Sequence, residues 1–188
     1  MKNVIQLKQS NFIKYLLIYF ITMVIGNYIK TTNIVNFLVS KSVDVVLITS
    51  HISSIISSIF IILLLVIIIT LCYFLREIFF KEINLESIFA SITNVILLFV
   101  SIELFRIVLI YFILIDEIKK IDTSENVIQQ LNETKWYHYN SLINIFLVIF
   151  GAFVFSIVIY DKEKKMIPSI VFGLVFICCF YLINISVF

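Results

Sequence analysis

Glu103 and Arg106 are the residues in this sequence whose types and spacing could do chemistry, because their segment is otherwise almost wholly apolar from Ile88 to Ile115. Three positions apart on a helix, they lie about 60° from each other around its axis, close enough to pair. A charge near the middle of a bilayer costs roughly 2.5 to 3.5 kcal/mol on insertion scales. The spacing therefore predicts an intramembrane ion pair. A structural link between helices is favoured, and a gate, proton relay or substrate contact is the alternative.

Small and polar residues recur at helical spacing in three further places. On the helix of the pair, four polar residues fall within about 80° of arc: Ser87, Ser91, Asn94 and Ser101. Five serines open the preceding apolar run: Ser50, Ser53, Ser54, Ser57 and Ser58. A smaller set is Gly151, Ala152 and Ser156. Such residues let membrane helices approach closely and hydrogen-bond, so each set predicts helix packing. A water-lined path is the alternative for the first set, and a homodimer contact for the second.

Residue patterns of enzymes and metal sites are missing from the sequence. It has no Ser-His-Asp constellation, no His-Glu-x-x-His pair, no paired aspartates on facing spans and no glycine loop for phosphate. The three cysteines, Cys72, Cys178 and Cys179, stand in apolar runs without the spacing of a metal site. The sequence has two histidines, His51 and His138. We therefore expect no catalytic residues, no metal and no cofactor. With 14 basic and 12 acidic residues spread between apolar runs, nucleic-acid binding is not expected either.

The composition indicates where these residues must lie. Of 188 residues, 62% are hydrophobic, and the mean hydropathy is +1.12, whereas soluble domains are about 45 to 50% apolar by a wider count. A water-soluble core cannot bury several long runs of Ile, Leu, Val and Phe. The chain is predicted to be an integral membrane protein whose first partner is the lipid bilayer.

A bilayer core needs roughly 20 apolar residues per helix, and five segments qualify: 12–29, 55–75, 88–115, 141–160 and 168–187. The predicted fold is all-α, a polytopic bundle of five transmembrane helices forming one domain over 1–188. Lys41 and Asp44 divide the apolar region 31–52 into runs too short to span, so this region is predicted to be an amphipathic or re-entrant segment. The first span follows Lys2 and Lys8 but precedes no cleavage-site pattern, which favours a retained anchor.

Basic residues in alternate loops predict the orientation. With the N-terminus inside, the inner segments hold eight lysines and arginines and the outer segments five, which favours a cytoplasmic N-terminus and an outer or lumenal C-terminus. Trp136, Tyr137 and Tyr139 fit an interfacial aromatic belt before the fourth span. Asn132 opens a glycosylation-acceptor triplet in the predicted outer loop, a pattern that is common by chance.

The layout resembles a known family. Residues 63–99 read "LLLVIIITLCYFLREIFFKEINLESIFASITNVILLF", a long helix ending in a charged turn before a helix that opens with Leu85, Ser87, Phe89, Ala90 and Ser91. This arrangement resembles the five-span Yip1 type. The resemblance covers the chain from about Asn11 onward and is architectural. The third-helix proline and the Asp-Leu-Tyr-Gly-Pro motif of the eukaryotic branch are absent. The resemblance implies a non-enzymatic membrane component, and the bacterial cell membrane is favoured over an endomembrane.

Three functions follow as expectations. The first is a non-enzymatic accessory or scaffold protein, associated with a transporter or with membrane trafficking, that binds another membrane protein or itself. The second is a small transporter or channel subunit in which Glu103 and Arg106 line the route. The third is immunity to a membrane-active toxin, which fits the size and hydrophobicity but rests on no particular residue.

Overall fold

A computed structural model describes residues 2–38, 43–121 and 127–187. Over these ranges the chain is helical, and no strand occurs. The α-helices are α1 (Lys2–Leu38), α2 (Val43–Phe79), α3 (Leu85–Val108), α4 (Ile115–Ile118), α5 (Val127–Glu133), α6 (Lys135–Glu163) and α7 (Met166–Val187). A π-helical turn, Leu109–Ile113, follows α3. The predicted all-α class is confirmed.

In the part of the chain that the structure describes, four helices are long and apolar enough to cross a membrane, and their candidate spans are Phe12–Thr32, His51–Phe79, Leu85–Val108 and Lys135–Glu163. They lie where the first four spans were predicted. The fifth predicted span falls on α7, where the apolar stretch found is the shorter Met166–Tyr181. The chain is thus a multi-pass helical membrane protein, and its fifth crossing stays a prediction.

Two sequence predictions differ from the structure at the ends of helices. Residues 31–38 continue α1 and residues 43–52 open α2, so the described part of the predicted re-entrant segment belongs to the long helices; 39–42, with Lys41, lie outside the described residues. Asp44 is the second residue of α2, where the helix dipole favours an acid, and there it does not interrupt the helix. The predicted third span ran to Ile115, but α3 ends at Val108. The π-helical turn follows it, closed by the Leu114 N–H donating to the Leu109 carbonyl at 3.1 Å.

The contacts divide the chain into two compact units. Unit 1 contains residues 1–19, 60–99 and 146–188, and unit 2 contains residues 20–59 and 100–145. Among the described residues, the core of unit 1 combines buried aliphatic side chains, such as Leu64 and Ile68, with the fully buried rings of Phe99, Phe155, Phe172 and Phe176. The ring of Phe176 lies 5.7 Å from that of Phe155 and 6.2 Å from that of Phe99. The Phe99–Phe176 pair is edge-to-face and the Phe155–Phe176 pair is tilted; aromatic pairs of these geometries add stability beyond burial.

One end of unit 1 brings together Phe12 of α1, where its candidate span begins, and two loops. The ring of Phe12 packs 5.8 Å from that of Phe89, near the start of α3. The carboxylate of Glu163, the last residue of α6, accepts hydrogen bonds from the Asn84 N–H at 3.1 Å and from the Ser87 hydroxyl. These contacts cap the N-terminus of α3, where a carboxylate is favoured. The α2–α3 and α6–α7 loops therefore lie at the same end of this unit.

In unit 2, α1 and α2 are joined by a polar seam. The Asn27 amide donates to the Ser58 hydroxyl at 3.3 Å, and the Thr31 and Ser54 hydroxyls lie 3.2 Å apart. The partner numbers fall along α2 as they rise along α1, so the two segments run antiparallel. Hydrogen bonds between membrane helices of this kind contribute about 0.6 kcal/mol each on average.

Large apolar side chains cover much of the exposed helix surface. On α2 they include Phe60, Leu63, Val66, Ile67 and Phe74. Soluble monomers rarely expose contiguous apolar patches beyond a few hundred Å². Lipid is the solvent that matches such faces.

Candidate functional site: a buried charge cluster in unit 2

The structure brings Glu103 and Arg106 together. Both belong to α3, and the Arg106 Nη1 lies 3.3 Å from the Glu103 Oε1. Glu103 is 7% exposed, and the Arg106 side chain is 11% exposed. The Arg106 Nη2 also donates to the Asn144 Oδ1 of α6 at 2.7 Å. One guanidinium thus bonds along its own helix and across to another, as its planar fork of donors allows.

A third charge joins this cluster from α1. Lys30 is half-buried, and its charge interacts with both Glu103 and Arg106. The Lys30 Nζ also lies 5.8 Å from the centroid of the Trp136 ring, within the range of a cation–π contact. Trp136 is only 2% exposed, whereas Tyr137 and Tyr139 are exposed. The tryptophan of the predicted aromatic belt therefore packs inside unit 2.

The chemistry open to this cluster is acid–base and electrostatic. One carboxylate faces two bases, so the cluster carries a surplus positive charge when all three groups are ionised. The Arg106 Nε has no hydrogen-bond partner among the described residues. Arg106 stays protonated in proteins, whereas Glu and Lys can exchange protons. The geometry ties α3 to α6 through Arg106, and the charge of Lys30 on α1 interacts electrostatically with Glu103.

The serines of α2 divide between two faces. Ser58 is fully buried, and with Ser54 it forms the seam with α1. Ser53 and Ser57 are exposed, and the Ser57 hydroxyl donates to the Ser53 carbonyl at 3.0 Å. The side chain of Ser50 lies outside the described residues. Of the serines predicted to form one row, Ser54 and Ser58 therefore bond to α1 within unit 2, whereas Ser53 and Ser57 are exposed on another face of α2.

The polar set on α3 is also divided. Ser87 and Ser91 are buried in unit 1, where Ser87 bonds to Glu163 and Ser91 donates to the Ser87 carbonyl at 2.7 Å. Asn94 is exposed and donates to the Ala90 carbonyl of its own helix at 2.9 Å. Ser101 is exposed in unit 2. The structure does not bring these four residues together as one polar surface.

The small residues of α6 lie at close contacts in unit 1. A methyl group on Gly151 would come within 2.8 Å of the Phe99 ring and 3.0 Å of the Phe176 ring. Ala152 is buried. Ser156 faces Gly173 of α7 so closely that a methyl group on Gly173 would collide with the Ser156 hydroxyl. These residues let α6 pack tightly against α3 and α7.

Sequence reasoning missed several members of these sites. Lys30 was assigned to an outer loop, and no pattern linked it to a helix 73 residues away. Asn144 left a usable signal, since an amide inside an apolar run is itself unusual in a membrane helix. Asn27 and Thr31 gave a similar signal four residues apart. Glu163 gave none, because acids at the ends of membrane helices are ordinary.

Comparisons with protein-family models, curated proteins and solved structures found no match to this chain. The Yip1-type resemblance accordingly stays a prediction from the sequence.

Proposed function

We propose that this chain is a non-enzymatic accessory or scaffold protein of five membrane spans, which binds another membrane protein or a second copy through the open serine face of α2. The observation that supports this most directly is the division of the α2 serines. Ser54 and Ser58 bond to α1, while Ser53 and Ser57, one turn apart, stay exposed in a candidate span. Small hydroxyl residues at that spacing permit close approach of a further helix.

The buried charges support the same function. Arg106 bonds to Glu103 within α3 and to Asn144 of α6, which is the pattern of a link between helices. Removing one member of such a pair strands the other charge, so the pair favours a single arrangement of these helices. Because these contacts hold the helices together internally, the exposed faces of the helices remain available to bind a partner.

The fifth span and the orientation are part of this proposal. The beginning of the first candidate span at Phe12, the α2–α3 loop and the α6–α7 loop share one end of unit 1. The helix α7 leaves that end with 22 residues, a length of about 33 Å that matches a bilayer core. All eight basic residues assigned to the cytoplasmic side lie in the segments that flank this end. An odd number of crossings then carries the C-terminus to the other side of the membrane.

Site-specific crosslinking tests the serine face. In a background with Cys72, Cys178 and Cys179 replaced by alanine, Ser53→Cys and Ser57→Cys should each form crosslinks in native membranes, to a second copy or to a partner. Ile55→Cys is the matched control, because it is exposed on the same turn but points elsewhere. Equal crosslinking at all three positions, or none at Ser53 and Ser57, would contradict the proposal.

A second candidate function is a small transporter or channel subunit. The observation that favours it is Lys30, a base whose charge interacts with that of Glu103. Buried ionisable groups within membrane helices mark many ion and proton routes. Glu103→Gln should then alter flux or its pH dependence at unchanged folded yield, whereas a lowered yield without altered flux points to the structural role.

A further inference from the structure

We infer that the groove between α6 and α7 in unit 1 binds one acyl chain of an anionic phospholipid, whose phosphate is held by Lys164. The groove has a volume of about 620 Å³ and a mostly apolar lining, which includes Phe153, Tyr160, Ile170 and Leu174. It exists because small residues face one another where the two helices meet: Ala152, Ser156 and Gly173.

The dimensions of the groove suit a lipid chain. Its lining on α6 runs from Ile149 to Tyr160, and on α7 from Met166 to Ile177. Eleven residues of helix rise about 16 Å, which is close to half of a bilayer core of about 30 Å. A chain from one leaflet fills this depth, whereas a partner helix would need a surface that continues across the whole membrane.

A cation lies near one of the residues that line the groove. The Lys164 Nζ lies 5.9 Å from the centroid of the Tyr160 ring, and Tyr160 lines the groove. The same ammonium group contacts the Asp161 Oδ1 at 2.7 Å. An ammonium group has three donors, so two remain for a phosphate.

The backbone at Lys164 is unusual. Its φ is 54°, in the left-handed region, and among the described residues it is the one non-glycine residue with a positive φ. The Lys164 N–H donates to the Tyr160 carbonyl at 2.7 Å, which ends α6. Glycine is the usual residue at this position of a helix end. A lysine kept in a disfavoured conformation is a pointer to function, and here it holds the ammonium group beside Tyr160.

The predicted orientation supplies the anionic partner. The α6–α7 loop is assigned to the cytoplasmic side, where membrane leaflets carry anionic lipids and basic residues between helices attract their headgroups. The charge of Lys164 and the apolar lining of the groove therefore both favour an anionic phospholipid. The acyl chain lies along Phe153 and Leu174, and the phosphate meets Lys164.

Lys164→Gly separates binding from folding. Glycine removes the charge and relieves the left-handed backbone, so thermal stability should hold or rise while lipid preference falls. We expect native mass spectrometry of the purified protein to show tighter binding of phosphatidylglycerol than of phosphatidylcholine. The preference should fall about fivefold in Lys164→Gly, the effect of removing one lysine from an anionic surface. Lys120→Gly, which removes a charge from an exposed turn elsewhere, should leave it unchanged.

A second variant tests the groove itself. Leu174→Trp should fill the groove and weaken binding of both lipids, since Leu174 is exposed along its length. Equal binding of the two lipids by the natural protein would overturn the inference, as would a Lys164→Gly variant with undiminished preference. A dimer that Leu174→Trp abolishes would overturn it as well, because the groove would then hold a second copy.

Discussion

Arg106 of α3 and Asn144 of α6 are joined by a 2.7 Å hydrogen bond, while the same guanidinium lies 3.3 Å from Glu103. This relationship converts a charge pair on one helix into a connection between two. The side chain of Asn144 is neutral, so it binds the arginine without cancelling its charge. Because Glu103 balances the charge of Arg106, the positive charge left over in the cluster is that of Lys30.

Removing Arg106 should be far more costly than removing the whole pair. Arg106→Leu leaves the Glu103 carboxylate buried without its partner, and we expect the free energy of unfolding to fall by about 3 to 5 kcal/mol. The double variant Glu103→Leu with Arg106→Leu should recover most of that loss. Unfolding in detergent, followed by circular dichroism, measures both. A double variant as unstable as Arg106→Leu alone would contradict the paired arrangement.

Asn144→Ala should cost less, because it removes one hydrogen bond to a charged group. Such bonds contribute about 1.5 to 3 kcal/mol. Asn94→Ala is the matched control, since Asn94 is exposed and bonds to its own helix; it should change stability by less than about 0.5 kcal/mol. Equal losses from the two variants would show that Asn144 does not connect α3 and α6.

Gly151→Ala should destabilise unit 1 through its aromatic core. The added methyl group meets the Phe99 ring at 2.8 Å, and overpacking of this kind costs about 1 to 3 kcal/mol. In a Phe99→Leu background the ring is absent, so the same substitution should cost less. A double-mutant cycle on thermal unfolding measures the difference. Identical costs in both backgrounds would mean that Phe99 does not limit the space at Gly151.

The Asp116 carboxyl should titrate below its ordinary range. A hydrogen bond from Lys119, together with the charge of that lysine, lowers the pKa of Asp116, and Lys120 adds a weaker effect of the same sign. A carboxyl with a lowered folded pKa contributes stability above its unfolded pKa, and that contribution is lost as the pH falls through the folded value. Carbon-13 NMR titration should show the pKa rising toward normal in Lys119→Gln and rising less in Lys120→Gln. An unchanged pKa in Lys119→Gln would exclude the contact.

Local spacing was sufficient for the parts of the site that lie on one helix. Glu103 and Arg106 are three residues apart, so any helix places them side by side. The four long apolar helices of the described residues likewise follow from hydropathy, because a water-soluble core cannot bury several long runs of Ile, Leu and Val. The failures were at helix ends, where residues 31–38 and 43–52, predicted to belong to a separate amphipathic or re-entrant segment, extend α1 and α2 instead. Position along a helix, which sequence reasoning did not weigh, makes a charge such as Asp44 tolerable.

By itself, the sequence determined that this is a helical membrane protein and that one of its helices carries an acid–base pair, since both depend on composition and on the repeat of a single helix. Only the tertiary structure decided which groups join that pair. Lys30, Asn144 and Trp136 come from distant segments, and helix periodicity carries no information about which helices become neighbours. The same holds for the serines of α2, whose helical spacing could be recognised in the sequence. Packing against α1 decided that Ser54 and Ser58 bond to that helix while Ser53 and Ser57 remain exposed.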